Sequence, residues 1–191
     1  MENFDVRKLV STNYGDWLSQ WGDSWKTQVA SLREKFGAAI EEVRMPPDYP
    51  TDVPIIYVQK EKIVEVLSFM KLDSAFDYSF LADLTATDEE TDLRFEIVYN
   101  LLSLAKHWRI RVKVRVREGD EVPTIISVWK GANWQEREVW DMFGVKFSKH
   151  PDLRRVLMDF RFVGHPLRKD YPLRGYQIFP TPEPVDPTLL E

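Results

Sequence analysis

The residues of this 191-residue chain with types suited to chemistry are three histidines, two closely spaced glutamates and a run dense in arginine and aspartate. Glu136 and Glu138 offer the carboxylates of an acid–base pair. Residues two apart on a helix point to different faces, however, so these two cannot converge on one substrate. His150 and His165 each precede a proline, which biases their backbone to extended conformations and excludes the i, i+4 pairing of a helical zinc site. With His107, each imidazole is expected to hydrogen-bond locally or at an interface. The chain has no cysteine, which removes disulfides, thiolate nucleophiles and the usual ligands of iron–sulfur clusters. It also lacks a Gly-rich phosphate loop, a dinucleotide fingerprint and a G-x-S-x-G elbow. No catalytic, cofactor-binding or metal residue is therefore expected.

The stretch from Trp134 to Tyr176 stands out for another reason. Ala132 to Gly144 reads as a short, well-delimited helix. Asn133 can cap it, Glu136 sits at the third position of a capping-box-like pattern, and Gly144 can close it. Trp140, Phe143 and Val139 would bury one side, and Arg137 can pair with Asp141 at i, i+4 on another. Two irregular charged blocks follow, His150-Pro151-Asp152-Leu153-Arg154-Arg155 and Gly164-His165-Pro166-Leu167-Arg168-Lys169-Asp170-Tyr171-Pro172-Leu173. Asp152 can cap a brief turn in the first. Arginine and aspartate make bidentate, geometrically specific bonds, and arginine with aromatic residues is favoured at interface centres. The pattern suits a surface that docks something large, and it equally suits an intramolecular salt-bridge network.

The elements that must position this stretch are readable in outline. Trp17, Trp21, Trp25, Val29, Leu32 and Phe36 recur at steps of three or four, giving a helix from about Ser24 to Phe36. Its tryptophans suit packing on the domain or a partner surface. Met45 to Pro54 reads as an extended linker and Val53 to Val58 as a buried strand. Ile63, Leu67 and Met70 share one face of an amphipathic helix. Strands are expected at about Asp77 to Thr85 and Arg94 to Leu102, separated by the acidic turn Asp88 to Asp92. In Arg109 to Arg117, Ile110, Val112, Val114 and Val116 alternate with bases, so one face is core and the other basic. That basic face suits a solvated or acid-paired sheet surface; an RNA platform would also want stacking aromatics, which this strand lacks. The expected fold is α+β: a small mixed, mainly antiparallel sheet with helices on one side, plus an extended C-terminal tail.

Bulk composition narrows the classes. Hydrophobic residues at 43% and charged residues at 30% are ordinary for a globular domain. The net charge of -5 gives no broad case for nucleic-acid binding. No apolar run approaches the roughly 20 residues of a spanning helix, and the start mixes acids and bases unlike a signal or transit peptide. The expected division is an N-terminal extension over 1–22, the α+β domain over 23–160 and a Pro-rich tail over 161–191 lying on a partner. Tyr176, Ile178, Phe179, Leu189 and Leu190 would be the tail's anchors.

Three ordered blocks carry a family resemblance: Arg94-Phe95-Glu96-Ile97-Val98-Tyr99-Asn100-Leu101, the run from Glu136 through Arg155, and Gly164 to Leu173. Together they make residues 53 to 176 resemble the 30-kilodalton subunit of respiratory complex I (NADH:quinone oxidoreductase), in its bacterial form. The resemblance implies a non-catalytic peripheral-arm subunit that binds no cofactor itself, with FMN, iron–sulfur clusters and quinone in other subunits. It implies docking to the hydrogenase-like quinone-site large subunit, on the cytoplasmic side in bacteria or the matrix side in mitochondria. The residues it marks as interfacial, or as bracing the interface, are Glu136, Arg137, Glu138, Asp141, His150, Asp152, Arg154, Arg155, His165, Arg168, Lys169, Asp170 and Tyr171. Lys149 stands where small residues are common in that family. The equivalent subunit of a membrane-bound hydrogenase or a ferredoxin- or F420-linked dehydrogenase is the nearest alternative, and an RNA-binding module the alternative of another class.

Overall fold

A computed structural model describes residues 23–45, 51, 53–175 and 177. Trp17, Trp21, most of the proline-rich linker and the anchors Tyr176, Ile178, Phe179, Leu189 and Leu190 lie outside the described residues.

Residues 23–36 are helical, α1, and bury Trp25, Val29 and Leu32 as their spacing requires. Strands β1 (Ile40–Arg44) and β2 (Ile55–Val58) follow, then helix α2 (Ile63–Leu72), which buries Ile63, Val66, Leu67 and Met70. Next come β3 (Phe80–Asp88), β4 (Phe95–Ser103), β5 (Trp108–Val116) and the short β6 (Glu121–Pro123). Helix α3 (Ala132–Phe143) and β7 (Lys146–Ser148) complete the elements.

Among the described residues one sheet has five strands in the order β1-β2-β5-β4-β3, and a second pairs β6 with β7. The β2–β5 pairing is parallel and the other three pairings of the large sheet are antiparallel. This is the expected mixed, mainly antiparallel sheet. Its apolar face and the inner faces of all three helices form one core cluster, so the helices lie on one side.

The alternation of β5 decides the two faces. Ile110, Val112, Val114 and Val116 are buried in the core. On the other face Lys113 Nζ lies 2.6 Å and Arg115 Nε 3.0 Å from Glu96 carboxylate oxygens, and Arg115 also meets Glu42 at 2.9 Å. Arg115 further stacks 3.7 Å above the Tyr57 ring, a cation–π contact. Lys113 and Arg115 of the basic face are thus acid-paired, and Arg111 donates to Asn100 Oδ1 at 3.0 Å. Burial alone would raise the Glu96 pKa, but Lys113 and Arg115 outweigh it and hold it below the ordinary value.

Three local expectations change. Strand β3 begins three residues later than its alternation suggests, because Tyr78 turns inward to donate to Gln28 at 2.8 Å. Asp88, expected in the acidic turn, is instead the last strand residue, paired with Phe95 and buried under Arg94. Strand β1 has a single buried residue, Ile40, so it leaves no periodic signal.

Lys149 adopts φ 62°, a left-handed conformation that costs an L-residue roughly 1–2 kcal/mol but glycine almost nothing, less an entropic penalty of about 0.5–1 kcal/mol. Lys149→Gly is therefore expected to raise stability by up to about 1 kcal/mol, read as a higher denaturant midpoint. An unchanged or lower midpoint would show that Lys149 is not strained.

Candidate functional site

Three of the four charged residues of α3, Glu136, Arg137 and Asp141, turn inward. Asp141 is fully buried. Its Oδ2 accepts the backbone N–H groups of Val156, Leu157 and Met158 at 3.0, 2.9 and 2.9 Å, while Arg155 Nη1 donates to Oδ1 at 2.5 Å. Three successive N–H groups aimed at one anion form a nest. Burial pushes the Asp141 pKa up, but the nest and Arg155 outweigh it and leave it below the ordinary value. Arg137 donates to the carbonyls of Arg154 and Arg155 at 3.1 and 3.2 Å and lies 3.8 Å from Asp152. The expected Arg137–Asp141 pair does not form. Each residue is instead consumed by the loop after β7, because a helix side chain can satisfy backbone groups that irregular chain leaves open.

The start of α3 also differs from expectation. Its N-cap is Gly131, with no side-chain cap. Asn133 lies inside the helix, and Glu136 reaches sideways to Thr124 Oγ1 and the Ile125 N–H at 2.5 and 2.7 Å. With Glu136 committed to the chain after β6, no reciprocal capping box can form. Asp152 caps no turn; its carboxylate accepts from Arg154 Nε at 3.0 Å.

The C-terminal end of α3 is sealed by the second charged block. Gly144 takes the left-handed φ of 80° and donates to Trp140 O. The carbonyls of Asp141, Met142 and Phe143, orphaned at a helix end, accept in turn from His165 Nδ1, the Leu167 N–H and Arg168 Nε. Arg168 also bonds Glu118 at 2.6 Å. Lys169 donates its backbone N–H to Asp88, whose partner Arg94 also holds Glu118 and Asp170. Tyr171 stacks on Phe162 and donates its hydroxyl to Gly175 O. Residues 165–171 are thus stitched onto the domain by backbone carbonyls at the end of α3 and by the side chains of Asp88, Arg94 and Glu118.

The thirteen expected residues fall into two groups. Glu136, Arg137, Asp141, His150, Arg155, His165, Arg168 and Tyr171 face inward and hold the irregular segment. Glu138, Asp152, Lys169 and Asp170 reach solvent, as does part of Arg154. Glu136 and Glu138 do face opposite ways. His150 lies beside the Asn133 carbonyl and accepts the Asp152 N–H, and His165 donates to the Asp141 carbonyl; both rings serve local structure. Burial holds His165 below its ordinary pKa. Thr124, Asp88, Arg94 and Glu118 lie outside the expected set. The Arg94 block is a landmark of the resemblance and Asp88 is expected in the acidic turn before it, but nothing in the sequence pairs Thr124 or Glu118 with the site.

Leu157, Phe160, Val163, Leu167 and Leu173 of this segment are exposed. Among the described residues no cluster of three or more His, Asp or Glu side chains could hold a metal ion. No helix there is long and apolar enough to cross a membrane.

Comparison with known proteins gives a consistent result. Residues 56–177 match the family described as respiratory-chain NADH dehydrogenase, 30 Kd subunit. A C-type subunit of the NADH-quinone oxidoreductase of Rhizobium etli is 44% identical over 149 residues, covering 78% of each chain. The mitochondrial NADH-ubiquinone oxidoreductase 30.4 kDa subunit of Neurospora crassa is 52% identical over 122 residues, 63% of this chain and 43% of that one. This chain therefore spans under half of the fungal relative's length in the matched region. Among solved structures, a chain of the membrane-bound sulfane sulfur reductase, an archaeal respiratory membrane complex, superposes with a TM-score of 0.65 at 25% identity, covering 78% of this chain and 86% of that one.

Proposed function

This chain belongs to the family of the respiratory-chain NADH dehydrogenase 30 Kd subunit, and from that premise we propose that it is a non-catalytic peripheral-arm subunit that docks the quinone-site large subunit of its complex. The complex, not the chain, performs NADH:quinone oxidoreduction and proton translocation. Flavin, iron–sulfur clusters and quinone belong to other subunits. In this reading 23–160 is the domain, 1–22 an extension, and 161–191 a tail whose first part folds over α3 before lying along the partner. The assembly sits at the energy-transducing membrane, on its cytoplasmic or matrix side.

One observation supports docking above the rest. The inward charges of α3 are spent on holding an irregular segment, and that segment presents five large apolar side chains outward. Exposed apolar side chains on a segment fixed in this way suit a partner surface better than a solvated one. Glu138, Asp152, Lys169 and Asp170 form the polar rim, and the thirteen residues of the expected set act as interface or its bracing.

The test separates docking from folding. Reversing two exposed charges, Glu138→Lys with Lys169→Glu, is expected to change the stability of the isolated chain by less than about 0.5 kcal/mol. It should cut incorporation into the complex by roughly tenfold or more, since rim charges act on association. Detergent extraction and size separation read this directly. Wild-type chain migrating only as a free monomer would defeat the proposal.

The sulfane sulfur reductase neighbour favours a second reading, an equivalent subunit in a respiratory membrane complex with a different electron donor. The electron-input subunits that co-purify with the chain distinguish the two.

A further inference from the structure

Four carboxylic acids are buried among the described residues: Asp88, Glu96, Asp141 and Glu136. Asp88 has Arg94, Glu96 has Lys113 and Arg115, and Asp141 has Arg155. Glu136, with no exposed surface, has only the Thr124 hydroxyl and the Ile125 N–H. An ionised carboxylate taken out of water needs a cation or a nest of donors, and otherwise keeps its proton.

Among the described residues no lysine or arginine pairs with it. From the chain after β7, His150 Nε2 lies 3.9 Å from Oε2. Its Nδ1 accepts the Asp152 N–H and its Nε2 lies 3.2 Å from the Asn133 carbonyl. With Nδ1 accepting, an Nε2–H is aimed at the Asn133 carbonyl rather than at Glu136. From β4 comes Tyr99, whose buried hydroxyl has no hydrogen-bond partner; burial first, then the Glu136 carboxyl, raises its pKa. Along α3, Arg137 turns to the carbonyls of Arg154 and Arg155, and Glu138 is exposed. The chain between β6 and α3 presents Thr124 and Ile125.

We propose that Glu136 is a proton-binding site: as a neutral acid it ties α3 to the chain leaving β6, and release of its proton loosens that joint. In the neutral form Oε2–H donates to Thr124 Oγ1 while Oε1 still accepts from Ile125. In the ionised form a charge stands beside Tyr99 with no counterion, and relief comes only by moving the first turns of α3 toward water. Those turns carry Arg137, which holds the loop at Arg154 and Arg155, so the proton controls the rigidity of that loop. Burial, set against the bonds from Thr124 and Ile125, pushes the carboxyl up to about 7.

The sign follows from where the proton is held. The folded chain keeps up to about pH 7 a proton that the unfolded chain releases near 4.5. The stability it contributes is complete below that value and is lost as pH rises through about 7. Between pH 5 and pH 8 the unfolding equilibrium constant should rise on the order of 50-fold from this group alone. The experiment follows the side-chain carboxyl carbon of Glu136 by NMR in the full chain across this range, beside denaturant unfolding of wild type and Glu136→Gln. A titration midpoint near neutrality, with that pH dependence absent in the glutamine variant, is the expected result. A midpoint in the ordinary carboxylate range, or the same dependence in Glu136→Gln, overturns the proposal. The wild-type titration decides the matter even if the variant does not fold.

Discussion

Asp141→Ala is expected to destabilise the chain by about 3–5 kcal/mol, the cost of removing one partner of a buried ion pair. The substitution leaves Arg155 without its carboxylate and strands the N–H groups of Val156, Leu157 and Met158. A whole domain of this size has a net stability of roughly 5–15 kcal/mol, so the variant should stand near the edge of folding. Two companions divide the loss. Asp141→Asn keeps an oxygen for part of the nest but loses the charge, and should fall between wild type and alanine. Arg155→Met removes the cation but leaves all three N–H bonds, so amide protection at 156–158 should persist. If Asp141→Ala proves nearly neutral in denaturant unfolding, with those amides still protected, the nest does not hold the segment. The pH profile gives an independent check. Because the Asp141 pKa is lowered in the fold, its contribution is present above the unfolded value near 3.8 and is lost as pH falls below it. This loss runs in the opposite direction from that of Glu136, five positions earlier on the same helix, whose contribution is lost as pH rises through about 7.

Those two carboxyls also show what can and cannot be read from the sequence. The alternation of β5, the apolar face of α2 and the glycine closing α3 are local signals, set by neighbours within four residues, and all three hold. The polar partners of α3 are not local. Asp141 meets the N–H groups of residues fifteen to seventeen positions away, and Glu136 meets Thr124 twelve positions earlier. A charged side chain on a helix is read as solvated, or paired along the same helix, unless its distant partner is known. An Arg137–Asp141 pair is the reasonable local reading, and tertiary partners displace it. Strands β1, β6 and β7 leave no trace for a related reason: each buries too few side chains to show a period. The density of Arg, Asp, His and Pro does locate the site. It does not say which charges brace from within and which face outward.

Gly144→Ala should be nearly as damaging as loss of Asp141, for a different reason, and Gly119 supplies its control. Both glycines have left-handed φ, 86° at Gly119 and 80° at Gly144. A Cβ at Gly119 would meet nothing within 4 Å, whereas one at Gly144 would overlap the Arg168 guanidinium and lie 2.6 Å from His165 Nε2. Gly119→Ala thus carries only the backbone cost, roughly 1–2 kcal/mol, partly offset by lower unfolded-state entropy. Gly144→Ala carries that cost and also displaces His165 and Arg168, which cap the Asp141 and Phe143 carbonyls. Each orphaned buried group adds about 1–3 kcal/mol, so a total of at least about 3 kcal/mol is expected. Equal losses in the two variants, measured by denaturant unfolding, would show that His165 and Arg168 move aside freely and that the 165–168 segment is not seated on the helix end. A larger loss at Gly144 would show that the second charged block is part of the helix terminus. It would also explain why a helix, a glycine and a histidine-proline pair twenty-one residues later act as one structural unit: the Asp141, Met142 and Phe143 carbonyls have no partner until residues 165–168 arrive, and those residues have no fixed course until α3 receives them.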